Sequence, residues 1–196
     1  MTLAKRLSPA SRPLVEGNPF SFVRVLMYED LQCGDCLVLR QMMDSTLLPK
    51  FGSRVAFEHR DFPLPKHSWA RGAAQASHFF AAIEPELAVE FQRLTLTGRR
   101  EITPESLRRY VADFARAHGQ GPVKAARALT DPATAAAVEA SYREGQARGV
   151  KKTPTVFVNG EAFVEVFTAT AISKSIRAAI AEAAAASVVK GSGRNQ

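Results

Sequence analysis

Cysteine is almost absent from this 196-residue chain: Cys33 and Cys36 are its only two. So few exclude a disulfide-stapled scaffold, which needs several bridges to make up for a thin core. They also exclude an ordinary structural zinc site. Zinc takes four ligands, there is no second cysteine pair, and His59, His67, His78 and His118 include no two at finger spacing. A bridge from Cys33 to Cys36 would close too short a loop to constrain the unfolded chain much. No metal is expected, and the pair reads as chemistry rather than as a staple.

Long apolar runs are missing too. No stretch approaches the roughly 20 residues that cross a bilayer, so no membrane span is expected. Residues 1–19 carry basic side chains but neither the apolar stretch nor the cleavage site of a secretory signal. As it stands, the sequence predicts a cytoplasmic protein; a mature form stripped of its signal would read the same and be extracytoplasmic. No repeat of solenoid period is present. The balance of charge is basic, +7 from 26 Lys and Arg against 19 Asp and Glu. The arginines are spread through helical patterns, however, with no long basic run and no aromatic-interleaved patch. Bulk charge alone speaks only to non-specific association, so no nucleic-acid partner is expected. A hydrophobic content of 46% with 12 Phe is enough to fill the core of one domain, or of one domain carrying an insertion.

What the chain does have is placed where it can act. Phe20 to Tyr28 holds Phe22, Val23, Val25, Leu26 and Met27, a nearly continuous apolar run that predicts a central strand buried on both faces. Cys33-Gly34-Asp35-Cys36 follows. Leu37, Leu39, Met42, Met43, Leu47 and Leu48 then recur at three- and four-residue steps, predicting a helix that Pro49 closes. A thiol at the first turn of a helix meets unpaired backbone N–H groups and the positive end of the dipole. Both favour the thiolate, which is the nucleophile of disulfide exchange. The second thiol, one turn on, is placed to attack a mixed disulfide and release the partner.

A second block lies far away in sequence. Residues 149–160 read Gly-Val-Lys-Lys-Thr-Pro-Thr-Val-Phe-Val-Asn-Gly. Thr155 to Val158 predicts a short strand, Asn159-Gly160 a hairpin turn, and Ala162 to Phe167 the returning strand. Pro154 at the head of that strand removes a ladder donor.

Taken together, these blocks resemble the DsbA-like branch of the thioredoxin superfamily. Tyr28-Glu29-Asp30-Leu31-Gln32-Cys33-Gly34-Asp35-Cys36 is similar to the family's aromatic-x-Asp-x-x-C-x-x-C segment. Phe57-Glu58-His59-Arg60-Asp61-Phe62-Pro63-Leu64 resembles its strand-then-FPL segment, and Gly149 to Gly160 its cis-proline hairpin. The likeness covers roughly residues 20–186. It implies a thioredoxin-like α/β fold, a central mixed sheet flanked by helices, with an inserted helical lobe. It implies a thiol–disulfide oxidoreductase in which Cys33 is the nucleophile and Cys36 the resolving thiol. Thr153 and Pro154 would form the substrate-facing wall, with a cis bond between them. Substrates would be cysteine-containing proteins or glutathione-like thiols. A redox partner would recycle the site, and no cofactor beyond the chain's own disulfide is implied. A monomer is expected. The alternatives are a non-catalytic thioredoxin-like binding module and a glutathione-dependent transferase or isomerase of the same fold; the intact C-x-x-C argues against the latter.

Two departures from the family pattern bear on the chemistry. Family members often carry a buried acid six positions before the first cysteine, where this chain has Met27; Glu29 and Asp30 are the nearest substitutes. Gly34 and Asp35 tune the site, and an anion at Asp35 is expected to disfavour a neighbouring thiolate, making the couple more reducing, with Lys151 and Lys152 placed to offset that charge. His67 reads more readily as a solvated residue at a helix start than as a neighbour of the cysteines.

The remaining pattern gives the organisation. Residues 1–19 are expected to be an arm, 20–65 the first part of the thioredoxin-like domain, 66–149 the helical lobe, 150–186 the second part and 187–196 a flexible tail. In the lobe, Thr103-Pro104 and Asp131-Pro132 are helix starts. Trp69, Phe79, Phe80 and Phe91 step at helical spacing and read as lobe core.

Overall fold

The computed structural model describes residues 13–164 and 167–192, the side chains of 187–192 excepted. Five strands form one mixed sheet: β1 (Leu14–Gly17), β2 (Arg24–Glu29), β3 (Ala56–Asp61), β4 (Thr155–Val158) and β5 (Glu161–Val164), in the order β1-β3-β2-β4-β5. Only β2 and β3 run parallel. Parallel neighbours need a crossover, and it is helical: α1 (Gly34–Met42), a π-helical turn at Met43–Leu47, then α2 (Leu48–Phe51). Pro49 does not close this segment, contrary to expectation. Its ring excludes the hydrogen bond to the carbonyl four residues back, and the wide turn immediately before it absorbs that loss.

The lobe comprises α3 (Ala70–Ile83), α4 (Pro85–Gly98), α5 (Pro104–Ala117), α6 (Pro122–Arg127) and α7 (Pro132–Ala147). Its helix starts are capped as the sequence predicts. Thr103 and Ser106 form a reciprocal capping box on α5, and Asp131 accepts from the N–H groups of Ala133 and Thr134 on α7. α8 (Ala169–Ser192) returns the chain to the sheet. Among the described residues no helix is long and apolar enough to cross a membrane.

Strand alternation divides the core. Val25 and Met27 face α1 and α8 with Leu39, Met43, Phe57, Val156, Ile172 and Ile176. Tyr28 faces the other way, onto Phe62 and Val150, with Tyr142 of α7 against them. The lobe has its own centre, where the rings of Phe80, Phe91 and Phe114 lie 4.8–5.1 Å apart. Leu31, Trp69, Cys33 and Cys36 belong to that same cluster, so the cysteine pair sits at the joint between lobe and sheet.

α7 lies close to the sheet because Gly145 has no side chain. A Cβ there would sit 2.6 Å from the Phe62 ring and 3.0 Å from that of Tyr28. Gly145→Ala gains about 1 kcal/mol in helix propensity but forces buried rings to move, at a cost of about 1–3 kcal/mol. Overpacking is expected to win, so urea unfolding should show a less stable variant; equal or greater stability would contradict this packing.

Several boundaries differ from those read in the sequence. Residues 14–17, assigned to the arm, pair antiparallel with β3. The apolar run from Phe20 becomes a strand only at Arg24; Asn18 turns the chain by accepting from the Phe20 N–H at 3.0 Å, and Phe20 and Phe22 stand 90% and 95% exposed. β5 spans Glu161–Val164 rather than Ala162 to Phe167, with 165–166 outside the described residues. The tail expected from 187 is helical backbone as far as Ser192; residues 193–196, like 1–12, lie outside the described residues.

Candidate active site

The sheet register assembles the site. β2 ends at Glu29, and its Tyr28 lies opposite Thr155, the first residue of antiparallel β4. The loop after β2 and the turn before β4 are therefore neighbours, which brings residues 33–36 against Thr153 and Pro154. The Thr153–Pro154 peptide bond is cis. The Cys33 thiol donates to the Thr153 carbonyl at 3.2 Å.

Cys33 is the N-cap of α1, with an extended backbone (φ −78°, ψ 132°), so its sulfur faces the unpaired N–H groups of the first turn. Its pKa is lowered from 9.0 to about 6. A hydrogen bond from the Cys36 thiol leads, opposed by burial and aided by Thr153 and by the backbone N–H groups of Cys36 and Asp35. Cys36 is pushed the opposite way, well above its ordinary value, first by full burial, then by Cys33 and the charge of Glu29; the Asp30 N–H, donating to Cys36 Sγ at 3.4 Å, opposes the rise. Both residues are free thiols. Cys33 retains 8% exposure against 0% for Cys36, so an incoming reagent reaches Cys33 first. The Thr153 hydroxyl is buried and makes no hydrogen bond of ordinary geometry. It lies beside the sulfur, where its O–H favours the Cys33 thiolate.

The other expected tuning residues are placed as follows. Gly34 and Asp35 are exposed in the first turn of α1, and Lys151 and Lys152 are exposed ahead of Thr153. Cys33 is lowered overall, and an Asp35 charge is not among the leading influences on it. The Asp35 carboxylate lies in water, where charge is strongly screened, while the residue's backbone N–H is aimed at the sulfur.

In the sequence Glu29 and Asp30 are the nearest substitutes for the missing acid, but the contacts they make, and the reach of Arg99 to Gly34, are visible only in the fold. Asp30, its side chain wholly buried, accepts from the N–H groups of Gln32 at 2.8 Å and Leu64 at 2.7 Å and pairs with His67 Nδ1 at 2.7 Å. His67 is thus a lobe anchor on the loop before Cys33, not a solvated loop residue. Met27 is apolar and fully buried, and the acid charge felt by Cys36 is that of Glu29. Glu29 in turn joins a buried chain of charges across three strands. His59 lies 2.6 Å from Glu29 and 2.9 Å from Glu16, and Glu16 pairs with Arg40. Burial pulls the His59 pKa down, but the two carboxylates outweigh it and raise it to about 9. Burial pushes Glu16 up, but His59 and Arg40 outweigh it and bring it to about 2. Last, Arg99 at the end of α4 reaches Gly34. A methyl group on Gly34 would stand 3.6 Å from Arg99 Nη2 and 3.9 Å from Nε. The contacts of Asp30, Glu29 and Arg99 involve residues distant in sequence, so no local signal marked the contacts themselves.

Among the described residues no group of three or more His, Cys, Asp or Glu is arranged to hold a metal. Two open clefts of about 460 Å³ each lie along α8, and neither is lined by a cysteine.

The fold recurs in solved structures of low sequence identity. Oxidised BdbD from Bacillus subtilis superposes with a TM-score of 0.70 at 20% identity, over 86% of this chain and 92% of that one. The thiol-disulfide exchange protein alpha-DsbA2 from Wolbachia pipientis gives 0.71 at 19% identity, over 84% and 86%. MdbA, a thiol-disulfide oxidoreductase from Corynebacterium diphtheriae, gives 0.68 at 16%, over 86% and 90%. No curated protein matches in sequence. Residues 10–178, which contain the sheet, the cysteine pair and the whole lobe, match the family model described as thioredoxin, and by that match the chain belongs to the thioredoxin family.

Proposed function

We propose that the protein is a thiol–disulfide oxidoreductase, with Cys33 as nucleophile and Cys36 as resolving thiol. One observation carries this reading: a helix-capping thiol lowered to about 6 lies against a buried thiol raised well above its ordinary value. Disulfide exchange needs that asymmetry. In the reducing direction the Cys33 thiolate attacks one sulfur of a substrate disulfide. The substrate's other sulfur leaves as a thiolate and takes a proton. Cys36 then loses its proton and attacks Cys33 Sγ, which closes the Cys33–Cys36 disulfide and releases the reduced substrate. The oxidising direction is the same sequence reversed. Two electrons move in each cycle, so a redox partner must restore the starting state; no cofactor beyond the cysteine pair takes part.

Thr153 and Pro154 form the wall against which the substrate sulfur is presented, and the Thr153 hydroxyl is positioned to donate to Cys33 once it is a thiolate. Gly34 and Asp35 contribute through the backbone of the first helical turn. Substrates are cysteine-containing polypeptides or small thiols of the glutathione kind. The names of the similar structures, a thiol-disulfide exchange protein and a thiol-disulfide oxidoreductase, support the reading. Its test is turnover of a model peptide disulfide with glutathione as reductant. The wild type should accelerate the reaction, and Cys33→Ser should reduce it to the uncatalysed rate. A Cys33→Ser protein as active as the wild type would exclude this function.

A further inference from the structure

We infer that Arg99 is a substrate-recognition residue, and that the favoured substrates carry a carboxylate close to the reacting sulfur. This deepens the oxidoreductase reading and rests on it. α4 runs antiparallel to α1, as its arginines show. Arg93 pairs with Asp44 at 2.6 Å, beyond the far end of α1, whereas Arg99 reaches Gly34, the residue after Cys33. Arg99 Nη1 donates to the Leu96 carbonyl at 3.1 Å, which anchors the guanidinium on the end of its own helix. Its Nε and Nη2 lie on the Gly34 side. Among the described residues Arg99 has no carboxylate partner, whereas Arg93 on the same helix pairs with Asp44 and Glu16.

The geometry places this cation beside Gly34, next to the thiol in the chain. The leading influences that lower Cys33 are hydrogen bonds from Cys36, Thr153 and the backbone. Arg99 is left to act on whatever docks beside Cys33. Gly34 keeps the approach open, since it presents no side chain to the guanidinium. Lys151, exposed two residues ahead of Thr153, adds positive charge on the Thr153 side. A planar fork of donors anchored at one corner suits a carboxylate, which it binds through two parallel hydrogen bonds. That carboxylate belongs either to glutathione or to an acidic residue next to a cysteine in a polypeptide.

The test compares reagents that differ only in charge. Reduced wild type and Arg99→Gln are alkylated with iodoacetate and with neutral iodoacetamide. The rate ratio of iodoacetate to iodoacetamide should fall about three- to fivefold in the variant, the scale of one partly exposed ion pair. The iodoacetamide rate itself should stay the same, which verifies that the Cys33 site is intact. This readout needs no turnover, so it holds even if the oxidoreductase reading fails. Turnover then distinguishes the sources. The kcat/KM of Arg99→Gln should drop by a similar factor on glutathione disulfide, on a peptide disulfide with Glu beside each cysteine, or on both, and stay within twofold on the matching Gln peptide. Loss on glutathione alone identifies a small-thiol site, and loss on the Glu peptide alone a polypeptide site. An unchanged rate ratio, or equal losses on charged and neutral substrates, overturns the assignment. Wild-type protein that turns over none of the three substrates overturns the oxidoreductase reading instead, with the alkylation ratio still deciding the role of Arg99.

Discussion

Cys36→Ser is expected to accumulate a covalent adduct between Cys33 and its substrate, seen on non-reducing gels and lost on reduction. The resolving step needs a second thiol within reach of Cys33 Sγ, and these are the chain's only two cysteines. A serine hydroxyl still donates to Cys33, so the thiolate survives and the first attack proceeds. It cannot displace the sulfur in the second. Exchange with the thiol pool then becomes the only release route, and the adduct should rise from a trace to a major species. Identification of the trapped polypeptides would name the substrates. If Cys36→Ser traps no more than the wild type, the two-step assignment of roles is wrong.

The second large effect is in the pH dependence of Cys33. With its pKa at about 6, the group is about 90% thiolate at pH 7 and about 10% at pH 5, since each pH unit is a factor of ten. Its alkylation by iodoacetamide should rise about tenfold from pH 5 to 7 and then level off. An ordinary cysteine would still be climbing at pH 8. Cys36, fully buried with its pKa moved up, should stay unlabelled across this range. Cys36→Ala removes the leading hydrogen bond on Cys33 and should shift the midpoint upward, whereas Cys36→Ser should shift it less. A wild-type midpoint above 8 would show that the first turn of α1 does not stabilise the thiolate.

The same two residues show what a sequence reveals and what it hides. Cys33-x-x-Cys36 after a β-rich run marked the site because its chemistry is local: a helix begins there, and the first turn supplies the donors. Thr103 and Asp131 were legible for the same reason, as helix caps act within three residues. Thr153 and Pro154 were legible as a motif, but only antiparallel pairing of β2 with β4 brings them to the cysteines. The polar support was hidden. Asp30 looks like any loop aspartate until Leu64 and His67 arrive from the segment after the neighbouring strand β3. Glu29 lies two residues beyond the position where Met27 stands; its charge acts on Cys36, and its partner His59 comes from another strand. The backbone contribution of Asp35 was not legible, because it depends on where the helix begins relative to the sulfur. In the folded protein the Asp35 carboxylate is exposed and its N–H is one of several donors that lower Cys33. β1 was missed because Leu14-Val15-Glu16-Gly17 is short, flanked by Pro13 and Pro19, and held by pairing with β3 rather than by propensity.

The central claim is that Cys33 and Cys36 form one reversible two-electron couple that exchanges with external thiols. Equilibration of the protein in glutathione buffers of graded ratio, followed by acid quenching and mass spectrometry, tests it directly. The account predicts a single transition from dithiol to an intramolecular disulfide, two hydrogens lighter, with no accumulated glutathione adduct and a two-electron dependence on the buffer potential. A protein that stays dithiol at every ratio, or that stops at a stable Cys33–glutathione adduct with Cys36 still reduced, would contradict it.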